Sequence, residues 1–251
     1  CYPDFGIKLV LDRLGQIRPK ILFTADGYYF KGTAIDSLEK IAGIAAEIDS
    51  LEQIVVVPYV SEKPDLAALP DYAVHYHDFS SCWNHGGEIE KIPFVQLPFD
   101  HPLYIMYSSG TTGLPKCMVQ SGGGVLINHL KELLLHTDLK HDDIIFYFTT
   151  CGWMMWNWLT SSLAAGAALL LYDGSPFYPD PAALWTIAEE EGISIFGTSA
   201  GYIEALKNSG TRPGKSFKIA PLRTILSTGS PLSNENFEFI YREIKKDIHL
   251  A

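Results

Sequence analysis

Residues 54–57, Ile-Val-Val-Val, form an apolar run without alternation that stops at Pro58. A strand that shows one face to water alternates apolar and polar residues with a period of two. An unbroken β-branched run belongs to a strand covered on both faces, the usual state of a strand in a parallel sheet. The neighbouring sequence agrees with that reading. Asp4 to Leu14 allows a short helix, Ile21 to Phe23 predicts a short strand, and Asp26-Gly27 predicts a turn. Leu38, Ile41, Ala45 and Ile48 recur at helical spacing behind Asp36 or Ser37 as cap. The second half repeats the theme. Residues 144–149, 168–172, 193–196 and 222–226 read as strands, with helices entered at Asp180-Pro181, Ser199 and Ser233. In the last helix Phe237, Ile240, Tyr241 and Ile244 share an apolar face, with Leu232 placed to staple against Phe237. The predicted class is α/β, strand–helix repeats forming mostly parallel sheets covered by helices.

Composition bounds the partners. With 251 residues, 47% hydrophobic and 19% charged, the chain can bury a core. A net charge of −10 argues against nucleic acid or an anionic membrane as the main partner. The longest apolar run, residues 162–172, is well short of the ~20 residues of a spanning helix. Cys1, Cys82, Cys117 and Cys151 are scattered without a C-x-x-C pair, which points away from zinc or a disulfide framework and toward reduced, cytoplasmic thiols. The chain opens on Cys1 and closes on residues 247–251, which read as the start of a strand. The expectation is an internal piece of a longer protein, with a subdomain boundary near residues 61–100.

Three stretches carry chemistry. The apolar run Leu103–Tyr107, read as a buried strand, breaks into Ser108, Ser109, Gly110, Thr111, Thr112, Gly113, Leu114, Pro115 and Lys116. Glycines let backbone N–H groups approach a ligand, hydroxyls add donors, and a lysine adds charge: a nest suited to a polyphosphate. It is not a Walker A loop, because Lys116 lies three residues past Gly113 and is followed by Cys117. An isolated SGTTG favours a plain turn between two strands; the apolar strand before it and the Pro-Lys exit tip the reading to phosphate. The second stretch, residues 150–159 (TCGWMMWNWL), crowds tryptophans and methionines after a strand, either as core or as the wall of an apolar pocket. The third, Ser227 to Leu232 (STGSPL), is a tight strand-to-helix junction. Two further readings concern histidines. His75 and His77 would share one face of a strand over residues 73–79, a metal pair only if a third ligand exists. His129 and His136 flank a helix whose apolar face is read as Leu126, Ile127, Leu130, Leu133 and Leu134, and both are assigned to the surface.

YSSGTTGLPK resembles the signature loop of the adenylate-forming superfamily, the acyl-CoA synthetases and their relatives, and the similarity runs along the whole chain. Segments such as LEQIVVVPY and CGWMMWNWL look most like the acetoacetyl-CoA synthetase branch. The resemblance implies the large N-terminal, AMP-binding domain of an ATP-dependent acid–thiol ligase that carries acetoacetate through an acyl-adenylate to CoA. It implies phosphate binding at Ser108, Ser109, Gly110, Thr111, Thr112, Gly113 and Lys116. It places adenine at Gly229, Ser230 and Pro231, and an acyl or CoA wall at Gly152, Trp153 and Met155. ATP, Mg2+ and CoA are the implied cofactors, with the magnesium ligands and a catalytic lysine domain beyond residue 251 and no catalytic residue inside the chain.

There are departures. Gln120 and Ser121 stand where relatives often carry a histidine, and Met154, Met155 and Trp156 stand where acetate enzymes carry small polar residues. Acetate or butyrate therefore stays open as the acid, and a nucleotide-binding module without catalysis stays open as the rival class. The ligase reading predicts that the purified 251-residue chain makes no more AMP from ATP and acetoacetate than a loop variant does.

Overall fold

The computed structural model describes residues 1, 5–30, 32–81, 94–108 and 113–251. The chain folds as two compact units, Cys1–Gly123 and Gly124–Ala251.

The first unit opens with helix α1 (Ile7–Ile17), shifted three residues along the chain from the predicted span, and strand β1 (Ile21–Ala25). A hairpin of β2 (Gly27–Phe30) and β3 (Thr33–Asp36) follows, then α2 (Leu38–Ala46), β4 (Gln53–Val57), β5 (Ala73–His75) and α3 (Tyr76–Ser81). Strands β1, β4 and β5 form a parallel sheet with β4 in the centre. Ile54, Val55 and Val56 are fully buried, as the unbroken apolar run requires. Ile54 and Val56 pack with Val10 of α1 and with Leu38, Ile41, Ile44 and Ala45 of α2. Beyond β1, Phe23 meets Phe79 of α3 edge-on, with ring centroids 5.4 Å apart. Asp36 rather than Ser37 supplies the cap of α2, its Oδ1 accepting from Leu38 N–H at 2.8 Å.

Asp26 does more than turn the chain. Its buried carboxylate accepts the N–H groups of Tyr59, Val60 and Ser61 at 2.8, 2.9 and 2.7 Å, anchoring the segment that leaves β4. Burial alone would raise its pKa, but the backbone donors outweigh burial and hold the carboxyl below the usual range. The unit closes with an antiparallel hairpin, β6 (Pro102–Ser108) and β7 (Lys116–Ser121).

The second unit begins at the α4 helix (Gly122–Leu130), which runs into a π turn over Lys131–His136. Then come β8 (Ile144–Tyr147), α5 (Met154–Thr160) with a 3₁₀ turn at Ser161–Ala165, β9 (Ala168–Leu170), α6 (Ala183–Glu190), β10 (Ile195–Ser199), α7 (Ala200–Ser209) and the short α8 (Pro213–Ser216). The chain continues through β11 (Thr224–Thr228), α9 (Asn234–Phe239) with a π turn at Ile240–Ile244, and β12 (His249–Leu250). The five strands are all parallel, in the order β12-β11-β10-β8-β9. Successive side chains serve opposite faces. Phe146, Phe196 and Ile225 join one core with Trp185, Tyr202, Phe239 and Ile240, and Trp185 stacks on Phe196 at 4.7 Å. Ile145, Tyr147, Ile195 and Leu226 join the other with Leu133, Trp158 and Leu159. Gly197 is where the second core needs a bare backbone: a Cβ there would lie 2.0 Å from the Tyr147 ring, whose hydroxyl donates to Thr198 O at 3.1 Å.

Several sequence expectations are corrected. The strand at 73–79 ends at His75, and Tyr76 begins a helix, so His75 and His77 do not share a strand face; His77 lies beside Asp78 at 3.6 Å. Among the described residues no group of three His, Cys, Asp or Glu side chains could hold a metal. The β6 strand is not buried, with Leu103 and Ile105 exposed, because its sheet has two strands only. The inward face of α4 and its π turn is Val125, His129 and Leu133, while Leu126, Ile127 and Leu134 face out. His129 is thus buried rather than on the surface, whereas His136 is exposed as expected. In the last helix Asn236, Phe239, Ile240 and Ile244 turn inward, and Phe237 and Tyr241 outward. Leu232 packs on the first of these two cores instead of stapling to an inward Phe237. Residues 208–216 contain the end of α7 and the whole of α8.

Two outcomes follow. Gly197→Ala is expected to lower stability by about 1–3 kcal/mol in a urea melt, since the added methyl overpacks the Tyr147 ring. Asp26→Asn is expected to lose about 2 kcal/mol or more at neutral pH, because the charged acceptor of three N–H groups is gone. The Asp26 contribution is full above the ordinary carboxyl pKa of 3.8 and is lost as pH falls through the lower value of the folded state.

Candidate functional site

The phosphate-loop stretch lies in the first unit, at the tip of the β6–β7 hairpin. Ser108 pairs with Lys116 as the last rung of the described ladder. Ser109, Gly110, Thr111 and Thr112 lie outside the described residues. Gly113 has φ +91°, a left-handed conformation that favours glycine, and open space on its Cβ side. Lys116 is exposed at the first position of β7.

Helix α1 steadies this hairpin through contacts that sequence reasoning missed. Gln16 Nε2 donates to Pro115 O at 2.9 Å, one residue before Lys116, and the Tyr107 hydroxyl donates to Arg13 O at 3.0 Å. The Cys117 thiol lies 3.6 Å from Gln16 Oε1. Burial, followed by the neighbouring Cys117, pushes Tyr107 up to about 12, so the phenol stays a neutral donor at physiological pH. The partners lie about a hundred positions apart in the chain, and no local pattern announces them.

In the second unit the strand order itself marks a crevice. From β8 the chain steps to β9 on one side, then crosses over to β10 on the other side and proceeds through β11 to β12. The reversal between β8 and β10 is a topological switch point, where open parallel sheets place ligands at the carboxyl ends of their strands. After β8, Trp153 N–H donates to Thr150 O at 2.9 Å in a turn that starts α5. Of the acyl-wall candidates, Gly152 lies in that turn, Trp153 is 59% exposed, and Met155 packs partly buried against the core containing Tyr147 and Trp158.

After β11 comes Gly229, with φ +92°, and then Ser230 and Pro231, all exposed. Ser233 Oγ accepts from Asn236 N–H at 3.3 Å and caps α9, as the sequence predicts. Ser199 caps α7 in the same way, accepting from Tyr202 N–H at 3.2 Å. At this end of the sheet the buried hydroxyls of Thr150, Thr198 and Ser227 have no hydrogen-bond partner among the described residues. Thr198 and Ser227 are register partners on adjacent strands. Unmet buried hydroxyls at a switch point are donors available to a ligand or an ordered water.

A parallel sheet with glycine junctions at its carboxyl end, together with a separate Gly/Thr hairpin loop leading to a lysine, is the equipment of an enzyme that handles a nucleotide. The family model described as AMP-binding enzyme matches residues 1–250, and the chain belongs to that family. Within it, the chain is similar to the acetoacetyl-CoA synthetase of Rhizobium meliloti (strain 1021), 48% identical over 100% of this chain and 38% of the relative. It is 46% identical to the acetoacetyl-CoA synthetase of Gallus gallus, over 99% of this chain and 37% of the relative. The malonamoyl-CoA synthetase of Penicillium aethiopicum is 38% identical over 99% of this chain and 36% of its own. Among solved structures, acetoacetyl-CoA synthetase from Streptomyces lividans superposes with a TM-score of 0.89 at 39% identity, covering all of this chain and 38% of that one. The chain therefore spans somewhat over a third of the length of these relatives.

The α1 clamp yields a prediction. Gln16→Ala, which frees Pro115 O, is expected to weaken ATP·Mg affinity by about fivefold, the worth of one hydrogen bond of ~1 kcal/mol. Calorimetric titration reads the affinity, and an unchanged far-UV spectrum separates it from unfolding.

Proposed function

We propose that the chain is the nucleotide-handling part of an ATP-dependent acid–thiol ligase that activates acetoacetate. The observation that carries this reading is identity of 46–48% to acetoacetyl-CoA synthetases along essentially the whole chain, through both glycine junctions. In the reaction a carboxylate oxygen of acetoacetate attacks the α-phosphorus of ATP. The new P–O bond forms as the bond to the β-phosphate bridge breaks, and pyrophosphate leaves with the electron pair. The CoA thiolate then attacks the acyl carbon, and AMP departs on its oxygen.

The physical problem of the first step is to bring two anions together and hold the charge that develops on the leaving pyrophosphate. Residues 108–113 would surround the β- and γ-phosphates with backbone N–H and hydroxyl donors, and Lys116 would supply the positive charge. Gly229, Ser230 and Pro231 would bound the adenine, while Gly152, Trp153 and Met155 would line the acyl or CoA side. Magnesium, when bound, adds charge neutralisation at the phosphates. Its ligands are assigned to chain outside residues 1–251, as is the catalytic-lysine domain, so that residues 1–251 are a partial N-terminal domain with a subdomain boundary near 61–100. The partners are small molecules, ATP, acetoacetate and CoA, in the cytoplasm. Among the described residues no helix is long and apolar enough to cross a membrane.

A second acid is favoured by one observation: the 38% identity to a malonamoyl-CoA synthetase shows this framework in an enzyme named for a different short acyl group. Titration of the chain with ATP·Mg beside a Thr111→Ala, Lys116→Ala variant tests the phosphate site. Binding in the parent and at least about tenfold weaker binding in the variant is expected. Equal binding by both would sink the loop assignment. An acid panel on the full-length protein, read as pyrophosphate release, tests the substrate, with acetoacetate expected to exceed acetate and butyrate.

A further inference from the structure

His129 is a buried titratable group that the proposed chemistry does not use. It lies on the inward face of α4, 6% exposed, just before the helix widens into its π turn. Its Nδ1 is 2.8 Å from Ser161 Oγ, at the junction of α5 with its 3₁₀ turn, and Ser161 Oγ is 3.0 Å from Asn157 O. A serine hydroxyl has one proton. When that proton goes to the Asn157 carbonyl, the back-bond natural to serine in a helix, Nδ1–H must donate to Ser161 Oγ. The resulting chain, imidazole to hydroxyl to carbonyl, is a polar tie between α4 and α5, the helix that carries Met155 and follows Trp153.

We infer that His129 is a positioning residue: through Ser161 it fixes the seating of α5, and with it the tryptophan segment that follows β8. That this seating sets the acyl side of the site rests on the ligase reading above; the tie itself does not. The surroundings leave the imidazole neutral. Residues 154–165 contain no ionisable side chain, and Tyr147 in the adjoining core is pushed up by burial and stays uncharged. Glu132, whose charge acts on the imidazole, is itself 3.7 Å from Lys131. Burial lowers the His129 pKa from 6.5, with Glu132 opposing. A second proton, on Nε2, would put an unpaired positive charge between the helices. The seating is therefore complete above pH 6.5 and given up as pH falls through the lower folded value.

The test labels the chain with 5-fluorotryptophan and follows its fluorine resonances. Trp156 and Trp158 report on α5, and Trp185, fully buried in the core on the other face of the sheet, is the internal control. Ser161→Ala and His129→Leu are expected to shift the α5 resonances at pH 7.5 and leave Trp185 in place. His129→Asn, whose amide nitrogen takes the place of Nδ1, is expected to restore the parent spectrum. In the parent the α5 resonances should titrate with a midpoint below 6.5, and in His129→Asn they should not. Alpha-5 resonances indifferent to pH and to both substitutions overturn the inference, as does a Trp185 shift of equal size or an Asn variant that behaves like Leu. In the full-length protein Ser161→Ala should raise KM for the acid several-fold with KM for ATP unchanged. A full-length parent that forms no acyl-adenylate would defeat the ligase reading and leave the fluorine result standing.

Discussion

The five-stranded parallel sheet must bury both of its faces, and the rest of the second unit follows from that demand. Each central strand sends alternate residues to opposite cores: Ile195 to the side of Trp158 and Leu133, Phe196 to the side of Trp185 and Phe239. Helices have to lie on both sides, so every strand-to-strand connection is a crossover, and every crossover leaves from the carboxyl edge. The loops are gathered at one end of the sheet by the connectivity alone. The reversal between β8 and β10 then opens that end, and the residues with unmet hydroxyls, Thr150, Thr198 and Ser227, stand there.

The first unit solves a different problem. Its β6–β7 hairpin has only two strands, too few to be stable by its own ladder. It is held instead by contacts with α1: the Tyr107 hydroxyl of the hairpin donates to Arg13 O, and the Gln16 side chain of α1 donates to Pro115 O and faces the Cys117 thiol. The hairpin is thus tethered to α1 near its described ends. The exposed apolar residues of the hairpin, Leu103, Met118 and Val119 among them, are consistent with a chain that spans somewhat over a third of its relatives' length.

Much of this was legible in the sequence because it is local. Caps at Ser199 and Ser233 depend on residues three positions away, and the unbroken Ile54–Val57 run announces a strand buried on both faces. What was not legible is non-local or out of phase. The helical faces of α4 and α9 were misread because each passes into a π turn, which shifts the period on which the pattern was counted. Strand β7 escaped because Lys116-Cys117-Met118-Val119 shows no alternation and is largely exposed. His129 looked like a surface residue because its partner, Ser161, lies 32 positions on. The glycine and hydroxyl chemistry of the two stretches stands in the sequence itself, whereas the α1 tether and the switch point exist only once the topology is known.

The contact between Tyr147 and Gly197 has a consequence for how such chains vary. The ring occupies the volume that a side chain at position 197 would need, and its hydroxyl is spent on the Thr198 carbonyl of the same strand. The two positions are a single unit of variation. Relatives that carry a side chain at 197 should carry something smaller at 147 and should satisfy the 198 carbonyl by other means. Because β8 and β10 are neighbours at the switch point, such an exchange would repack the seam between these two strands in one step, with the two positions changing together.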